Sequence, residues 1–334
     1  MKIKIGINGM GRIGRMIVRS IIENNYNNLE IKHINNRTNS EACSNLLKYD
    51  SIHGKFEADI SFDDKHLIIN KNKITFGQET DLNKINWKKH DVDYVFECTG
   101  KFNSRDKLET HLKNGAKKVI VSAPCKNADK TIVYGVNESK LKNDDKIISA
   151  ASCTTNCLAP VANVLNENFQ IEKGFMTTIH AFTSDQRILD NSHKDPRRAR
   201  SASQSIVPTS TGASKIIGEI IPSLKGKLEG VAMRVPIPNV SLIELVFCTK
   251  KEITIEKINE VFFSVSKKQS KKILEITKEK LVSVDFNHNS ASAIIDASLT
   301  NVVGRNMGKI SAWYDNEWGF SNRMCDIVEY LHKI

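Results

Sequence analysis

Residues 2–14 read KIKIGINGMGRIG, and this stretch decides the fold of the first half of the chain. Its first seven residues alternate polar and apolar side chains, which is typical of a short strand. Three glycines follow at the spacing G-x-G-x-x-G, namely Gly9, Gly11 and Gly14. Apolar residues at helical spacing continue over 12–24, so the glycines lie between a predicted strand and a predicted helix.

Each glycine of this turn has a physical reason in a dinucleotide site. Gly9 permits a tight turn, Gly11 lets a pyrophosphate approach the backbone, and Gly14 allows the helix to pack closely on the strand. The N-terminus of the helix adds free N–H groups that point at the phosphates. The motif alone is weak, but its strand–turn–helix setting favours a dinucleotide site over a purely structural turn.

The remaining periodicity predicts two domains, as the length of 334 residues also suggests. Strands alternate with helices over the first half, which indicates a doubly wound parallel α/β sheet. Its further strands are predicted over 29–35, 92–98, 118–123, 131–136 and 146–150, with a helix over 105–114. The second half is predicted to be α+β, with helices covering a mostly antiparallel sheet. Its strands are predicted over 173–182, 230–236, 240–250 and 306–314, and its helices over 154–168, 211–221, 254–268 and 320–333.

Composition limits the class of protein. Hydrophobic residues make up 40% and charged residues 26%, as in an ordinary soluble globular protein, and no apolar run approaches the ~18 residues of a membrane span. The N-terminus shows no apolar core and no cleavage site, so we expect no signal peptide and a cytoplasmic location. The seven cysteines favour reduced thiols, and neither a Cys-x-x-Cys nor a His-Glu-x-x-His zinc signature occurs.

The chain is basic, since 49 Lys and Arg against 38 Asp and Glu give a formal net charge of +11. Such a surplus suits nucleic acid, an anionic membrane or phosphorylated substrates. Here it is mostly scattered lysine, which favours a solvated basic surface. Clusters within 267–272 and 197–200 keep the other interpretations open.

The end of the second predicted strand lacks the acidic residue that the glycine motif predicts. In NAD sites a carboxylate about 20 residues after the motif holds the adenosine ribose hydroxyls. Residues 35–38 read Asn-Asn-Arg-Thr instead. The missing acid removes repulsion against a ribose 2′-phosphate, and Arg37 offers it a charge-assisted partner. We therefore expect NADP use or dual use; alternatively, Asn36 still binds the ribose and Arg37 points to water.

A cysteine stands where a short predicted strand ends and a helix begins. Cys153 lies in ASCTTNC at 151–157, and a helix N-terminus lowers a thiol pKa and favours the thiolate. His180, at the end of a later predicted strand, is the candidate base. Cys157 lies one helical turn deeper, where a structural thiol is expected. The alternative is a core cysteine and an unrelated histidine.

Small donors and arginines are predicted near these two residues. They are Ser152, Thr154, Thr183, Thr211, Gly212, Arg198 and Arg234. Hydroxyl and guanidinium groups around a thiolate suit a substrate that carries phosphate. With a redox dinucleotide, they indicate the oxidation of a phosphorylated aldehyde through a thioester.

On these residues the sequence closely resembles the phosphorylating glyceraldehyde-3-phosphate dehydrogenases. The resemblance covers essentially the whole chain in order, and ASCTTNC is highly specific for this family and its near relatives. Its other motifs are INGMGRIGR at 7–15, LLKYDSIHGKF at 46–56, ECTGKF at 97–102, RRARSAS at 197–203, PTSTGASK at 208–215, RVPIPNVS at 234–241 and WYDNEWGFSNRM at 313–324. The resemblance implies a Rossmann domain over 1–151 completed by a C-terminal helix at 317–334, a catalytic domain over 152–316, and a homotetramer.

The resemblance also implies a role for each site residue. Cys153 would attack the aldehyde of glyceraldehyde 3-phosphate, with His180 as general base, and inorganic phosphate would release 1,3-bisphosphoglycerate from the thioester. The substrate C3-phosphate would lie at Thr183 and Arg234. Inorganic phosphate would lie at Ser152, Thr154, Thr211 and Gly212, assisted by Arg198. The nicotinamide cofactor would lie at Gly9, Gly11, Arg12, Ile13, Gly14, Asn36, Arg37, Ser122, Ser192 and Asn316, with the last holding the carboxamide, and no metal is needed.

Two departures from the family pattern concern the cofactor. Asn36 replaces the usual Asp, and Asn191-Ser192 stand where many NAD-preferring members have Leu-Pro. Members that accept NADP resemble this chain in having a serine there, which reaches a neighbouring subunit's cofactor. The resemblance therefore implies NADP as the preferred cofactor, with NAD as the alternative.

Three other functions stay open. Erythrose-4-phosphate dehydrogenase shares ASCTTNC, but the intact stretch 208–212 and Thr183 favour phosphorolysis and the triose substrate. Specific nucleic-acid binding is suggested only by the charge and lacks a recognisable module. A catalytically inactive scaffold is disfavoured by the complete set of catalytic residues. No membrane partner is expected.

Overall fold

The structure, a computed structural model, describes residues 2–334, which form two compact units. The first unit contains the residues up to Ser152 together with Ser321–Ile334, and the second contains Cys153–Phe320. The predicted fold class is confirmed, because a largely parallel sheet forms the first unit and a largely antiparallel sheet forms the second. Within the described residues, no helix combines the length and the apolar character needed to cross a bilayer.

The first unit is built on a nine-stranded sheet, three complete helices and most of the C-terminal helix. Its strands are β1 (Ile3–Asn8), β2 (Leu29–Asn35), β5 (Ile60–Asp63), β6 (His66–Ile69), β7 (Asn72–Gly77), β8 (Tyr94–Glu97), β9 (Lys118–Val121), β10 (Lys130–Thr131) and β11 (Ile147–Ser149), and a separate pair is formed by β3 (Tyr49–Asp50) and β4 (Gly54–Lys55). The helices are α1 (Arg12–Glu23), α2 (Ser40–Lys48) and α3 (Arg105–Lys113). The order across the sheet is β10-β11-β9-β8-β1-β2-β7-β6-β5. The strands from β10 to β7 are parallel, and the hairpin pairs of β5, β6 and β7 are antiparallel.

The carboxyl ends of three central strands create the crevice of the first unit. The chain leaves β1 for β2 on one side and later returns to β8 on the other, which is the arrangement that opens a ligand crevice in doubly wound sheets. A buried side-chain relay crosses these strand ends: Asn35 Nδ2 donates to Asn8 Oδ1 at 2.9 Å, and Asn8 Nδ2 donates to Glu97 Oε2 at 2.7 Å. This relay fixes the floor of the crevice.

The second unit is built on an eight-stranded mixed sheet. Its strands are β12 (Ile171–Ala181), β13 (Val207–Ser210), β14 (Leu228–Val235), β15 (Ser241–Thr249), β16 (Leu274–Thr277), β17 (Ala293–Asp296), β18 (Asn301–Val303) and β19 (Met307–Tyr314). The order is β13-β14-β12-β15-β19-β17-β16, and β18 pairs with β19. The helices are α4 (Cys153–Phe169), α5 (Ala213–Ile220), α6 (Ile255–Lys268) and α7 (Trp318–Leu331), of which α7 continues into the first unit.

Burial of α4 positions its first residue. Residues 154–162 of this helix are all buried, and Leu158, Val161 and Leu165 have no exposed surface. An apolar helix that is buried on all sides cannot move without losing packing contacts, so its N-terminus is held in a fixed position. Cys153 occupies that N-terminus.

The extent of one predicted strand is wrong. The strand predicted over 131–136 is limited to β10, because Asn137 takes over the backbone hydrogen bonds there: it accepts from Val133 N at 2.8 Å and donates to Thr131 O at 2.9 Å. The second sheet is mostly antiparallel, as predicted, and it also contains two parallel pairs, β12 with β14 and β16 with β17.

Several short elements were not predicted. They are α2, β3 to β7, β13, β16 to β18, and the 3₁₀ turns Leu82–Lys84, Glu138–Lys140, Pro222–Leu224, Ser283–Phe286 and Ala297–Leu299. Most of these elements are too short to show a periodic pattern.

Candidate active site

The glycine turn has the geometry of a phosphate-binding turn. Gly9 adopts a φ of 96°, which side-chain-bearing residues rarely adopt. A Cβ on Gly14 would lie 2.1 Å from Gly9 O, so the close contact of helix and turn requires glycine there. A Cβ on Gly11 would meet nothing within 4 Å, which leaves the backbone open toward solvent at the N-terminus of α1. The turn therefore fits the pyrophosphate of a dinucleotide.

Neighbouring side chains hold this turn in place. Asn36 Oδ1 accepts from Met10 N at 3.2 Å, and Arg15 Nη1 donates to Met10 O at 2.9 Å. Arg12 forms a two-pronged ion pair with the carboxylate of Asp50, so its guanidinium already has a partner. The pKa of Asp50 lies below its usual range because hydrogen bonds from Arg12 and from nearby backbone N–H groups outweigh its burial.

A cavity of about 440 Å³ opens from the turn within the first unit. It brings together the predicted cofactor residues Gly9, Gly11, Asn36 and Arg37. Ile13 and Ser122 do not line this cavity, and the Ser122 hydroxyl donates to Glu97 O at 3.0 Å. The arrangement accommodates the adenosine half of a dinucleotide.

Two charged residues of this cavity were not among the cofactor residues predicted from the sequence. Glu79 follows β7 and reaches the cavity because its backbone is clamped by Asn35, whose Nδ2 donates to Glu79 O and whose Oδ1 accepts from Glu79 N, both at 2.9 Å. Lys101 approaches from the segment after β8. Within residues 2–334, the side chains of Arg37, Glu79 and Lys101 form no hydrogen bond or ion pair, so all three are available to a ligand. Only the tertiary structure shows that a carboxylate lines this cavity.

Cys153 and His180 come together in the second unit. The Sγ of Cys153 lies 3.4 Å from Nε2 of His180, which stands next to the last residue of β12. His180 is directly opposite Arg234 in the parallel pair of β12 and β14. Ala181 O lies 2.7 Å from His180 Nδ1 and accepts from Arg234 Nη1 at 3.0 Å. Arg234 Nη1 also lies 2.7 Å from His180 Nδ1. A guanidinium nitrogen can only donate, so the two contacts of Nδ1 belong to different tautomers of the ring. Only the tautomer in which Nδ1–H donates to Ala181 O leaves the lone pair of Nε2 free to accept the thiol proton.

Burial determines the charges of this pair. It lowers the pKa of His180 to about 3, and the nearby positive charge of Arg234 acts in the same direction, so the imidazole is neutral at pH 7. Burial also raises the pKa of the Cys153 thiol, while Arg234 and the Thr154 N–H oppose this effect without overcoming it. The predicted lowering of the thiol pKa at the helix N-terminus is therefore wrong for the free site. The site holds a thiol beside a neutral base.

A chain of three hydroxyl groups lies behind the cysteine. Thr178 Oγ1 donates to Leu242 O at 3.2 Å, because a carbonyl can only accept. The contact of 2.9 Å between Tyr314 Oη and Thr178 Oγ1 then requires Tyr314 to donate, and Thr154 Oγ1 donates in turn to Tyr314 Oη at 3.0 Å. The proton of the Thr154 hydroxyl is therefore donated to Tyr314 Oη. Tyr314, which is 1% exposed, was not among the site residues predicted from the sequence.

The other predicted phosphate residues lie on the loops of the second unit. Thr211 Oγ1 accepts from Ala213 N at 3.2 Å, and Gly212 caps α5. Arg198 donates to Thr209 Oγ1 at 2.8 and 3.0 Å and to Asp185 at 2.7 Å. These contacts position the loops but also occupy the Arg198 guanidinium.

Gln186 lies next to Thr183 and was not predicted from the sequence as a site residue. Gln186 Oε1 is 3.4 Å from the Thr183 N–H, and the buried Gln186 Nε2 has no hydrogen-bond partner among the described residues. Its amide therefore offers a free donor beside Thr183. Ser152 is the last residue of the first unit before α4.

Ser192 and Asn316 stand in different surroundings. Ser192 is exposed, and its carbonyl accepts from Arg187 Nε and Nη2 at 3.1 and 2.9 Å. Asn316 is 6% exposed, and its Oδ1 accepts from Ser241 Oγ at 2.9 Å. The Ser192 carbonyl and the Asn316 Oδ1 are thus already hydrogen-bonded. The side-chain atom of Asn316 that remains free to bind a cofactor is Nδ2.

Comparisons with known proteins show which sequences this chain is similar to. Residues 3–105 match the family model described as glyceraldehyde 3-phosphate dehydrogenase, NAD binding domain, and residues 152–316 match the corresponding C-terminal domain. The chain is 47% identical to glyceraldehyde-3-phosphate dehydrogenase 2 of Bacillus subtilis, over 99% of this chain and 97% of the relative. It is 48% identical to the enzyme of that name from Geobacillus stearothermophilus, over 99% and 98% of the two chains. It is 47% identical to the one from Xanthobacter flavus, over the whole of both chains.

Proposed function

From the premise that the chain belongs to the glyceraldehyde 3-phosphate dehydrogenase family, and is thus an oxidoreductase with a nicotinamide dinucleotide cofactor, we propose its reaction. It oxidises D-glyceraldehyde 3-phosphate to 1,3-bisphosphoglycerate, reversibly and with inorganic phosphate as second substrate. The observation that carries the proposal is the 3.4 Å contact of the Cys153 thiol with a neutral imidazole. In this proposal residues 1–151 with 317–334 bind the dinucleotide, and residues 152–316 bind the substrate.

Cys153 and His180 perform the covalent chemistry. Nε2 of His180 takes the thiol proton as Sγ attacks the aldehyde carbon and returns that proton to the carbonyl oxygen, which gives a hemithioacetal on Cys153 and leaves Nε2 neutral again. The same nitrogen then removes the hydroxyl proton as the carbon is oxidised to the thioester. The nicotinamide supplies the hydride acceptor when it is bound. Inorganic phosphate finally attacks the thioester carbonyl, Sγ leaves, and the acyl phosphate is released.

Charge and hydroxyl groups hold the phosphates in this proposal. Arg234, at the end of β14, and Thr183, just after β12, bind the C3-phosphate, and the free Nε2 of Gln186 adds a donor there. Ser152, Thr154, Thr211 and Gly212 bind inorganic phosphate with Arg198. Thr154 contributes its backbone N–H rather than its hydroxyl proton, since Tyr314 accepts that proton.

NADP is the preferred cofactor in this proposal, with NAD as the alternative. Support comes from the absence of a carboxylate at Asn36 and from the unpaired Arg37 at the rim of the same cavity. Glu79 opposes this preference, because a carboxylate in the cavity accepts from a ribose 2′-hydroxyl and repels a 2′-phosphate. Gly9, Gly11, Arg12, Ile13, Gly14, Ser122, Ser192 and Asn316 complete the cofactor site. A homotetramer in the cytoplasm is part of the proposal, and Ser192 would reach the neighbouring subunit's cofactor.

Initial rates test the proposal directly. Reduction of NADP and of NAD is followed with glyceraldehyde 3-phosphate, with and without inorganic phosphate, and with erythrose 4-phosphate as the competing substrate. Phosphate-dependent turnover that prefers the triose supports the proposed reaction. Turnover that does not depend on phosphate and prefers the tetrose would replace it with erythrose-4-phosphate dehydrogenase activity.

A further inference from the structure

Ser241 is the buried hydroxyl that joins the candidate base to the candidate carboxamide-binding residue. It is the first residue of β15 and is 1% exposed. Its Oγ accepts from Ala181 N at 3.1 Å, and its single proton is donated to Asn316 Oδ1 at 2.9 Å. The directions of both hydrogen bonds follow from the chemistry, because a backbone N–H can only donate and an amide oxygen can only accept.

This contact fixes which end of the Asn316 amide is free. With Oδ1 bound to Ser241, Nδ2 is the remaining polar atom, and no described residue accepts from it. The backbone that follows Asn316 is already held, since Asp315 accepts from Glu317 N and Trp318 N at 2.9 and 2.8 Å. The orientation of the amide is therefore the one degree of freedom that Ser241 controls.

We propose that Ser241 is a positioning residue that holds the Asn316 amide with Nδ2 toward the cofactor, where it donates to the carboxamide oxygen of the nicotinamide. The proposal rests on the proposed function, which places the nicotinamide at Asn316. Without Ser241 the amide can turn over and present an oxygen, which pairs only with a carboxamide that has also turned over. The cofactor then loses its single preferred orientation, although Asn316 itself remains.

The same hydroxyl connects the cofactor site with the base. The peptide group of Ala181 donates through its N–H to Ser241, and its carbonyl accepts from Arg234 Nη1. Removal of the Ser241 hydroxyl leaves the Ala181 N–H without this partner, and that change reaches His180 whether or not Asn316 is present. A test must therefore separate the effect through Asn316 from the effect through Ala181.

A double-mutant cycle separates the two effects. Ser241→Ala, Asn316→Ala and the double variant are compared for the dissociation constant of the cofactor by calorimetry and for KM and kcat at saturating glyceraldehyde 3-phosphate and phosphate. Loss of one fixed hydrogen bond predicts that Ser241→Ala weakens cofactor binding about 10-fold. The same substitution in the Asn316→Ala background has an effect of less than about 2-fold, because coupled residues are not additive.

Two further measurements exclude a merely structural role. The rate at which iodoacetamide alkylates Cys153 without cofactor stays within about 2-fold of wild type in Ser241→Ala, since the thiol is not what Ser241 positions. Thr249→Val is the matched control, because Thr249 is a buried hydroxyl at the other end of β15 and donates to Lys251 O at 2.8 Å. It leaves the cofactor dissociation constant unchanged. Ser241→Cys, with a weakly donating group of similar size, replaces Ser241→Ala if that variant does not fold.

The outcomes are distinct. Equal effects of Ser241→Ala in the presence and absence of Asn316 would overturn the inference, as would a cofactor affinity that does not change. An alkylation rate that falls as much as the cofactor affinity would also overturn it and assign Ser241 to the Ala181 peptide alone. A wild-type chain that binds the dinucleotide but does not oxidise glyceraldehyde 3-phosphate would refute the proposed function, while the calorimetric cycle would still decide the role of Ser241.

Discussion

The two units prepare their sites in different ways. Around Cys153 and His180 the donor directions are set by buried neighbours, as the chain from Thr154 through Tyr314 to Thr178 shows. In the cavity that opens from the glycine turn, Arg37, Glu79 and Lys101 are exposed and have no side-chain partner within the described residues. Buried polar groups must find their hydrogen-bond partners inside the protein, so their donor and acceptor roles are fixed. Replacing an exposed charge changes the free energy of folding little, so such residues can vary and set cofactor specificity. The effects of substitutions on kcat or kcat/KM should therefore differ between the two regions by orders of magnitude.

Cys153→Ala should have the largest effect, because no other group can carry the covalent intermediate. We expect kcat for phosphate-dependent oxidation of glyceraldehyde 3-phosphate to fall by more than about 10⁴-fold. Cys157→Ala is the matched control, since Cys157 lies one turn further along α4 and is fully buried. It should keep kcat within a few-fold. Comparable losses in both variants would mean that the nucleophile is not at the N-terminus of α4.

His180→Asn should come second, with a fall of kcat of about 10²- to 10⁴-fold from loss of the general base. Because the pKa of His180 is lowered to about 3, the imidazole is neutral throughout the range from pH 5 to 8. The thiol pKa is raised, so alkylation of Cys153 should increase about 10-fold per pH unit in this range, as the thiolate fraction does below its pKa. Wild type and His180→Asn should share this slope. A plateau in the wild type alone would show a thiolate–imidazolium pair instead.

The contrast between the units also explains what could be predicted from the sequence. The glycine turn, Cys153 and His180 were predictable because backbone geometry and covalent chemistry admit few residue types at those positions. The distance of 3.4 Å between Cys153 Sγ and His180 Nε2 shows that these two side chains come together; it does not test their roles. The direction of the Cys153 pKa shift was not predictable, because it depends on how deeply the helix N-terminus is buried.

Glu79, Tyr314 and Ser241 were missed for a related reason. Each acts through a neighbour that is distant in the sequence: Asn35 clamps Glu79, Thr154 donates to Tyr314, and Asn316 accepts from Ser241. Periodicity and motif spacing describe neighbours along the chain, so contacts between separate strands leave no signal in them. The Asn137 turn that interrupts the predicted strand at 131–136 was missed for a different reason: its contacts are local, but a single side chain that takes over backbone hydrogen bonds leaves no periodic pattern.

Arg37→Ala tests the exposed region with a smaller expected effect. If the unpaired guanidinium binds a ribose 2′-phosphate, kcat/KM for NADP should fall about 10-fold, which corresponds to the loss of one charge-assisted hydrogen bond. The value for NAD should stay within about 2-fold, because NAD has no phosphate there. Lys84→Ala is a control for the change in net charge, since Lys84 lies outside the lining of this cavity. Equal losses for both cofactors would remove Arg37 from the discrimination.

Glu79→Gln should have the smallest effect and is the sharpest test of the exposed region, because the two cofactors should respond in opposite directions. Loss of the carboxylate removes repulsion against a 2′-phosphate, so kcat/KM for NADP should rise about 3-fold, as expected for one exposed charge interaction. The same change weakens an acceptor of the ribose 2′-hydroxyl, so the value for NAD should fall by a similar factor. High salt should reduce the gain with NADP, since exposed charges are screened. A change of the same sign for both cofactors would place Glu79 outside the ribose site and leave the choice between NAD and NADP to Asn36 and Arg37.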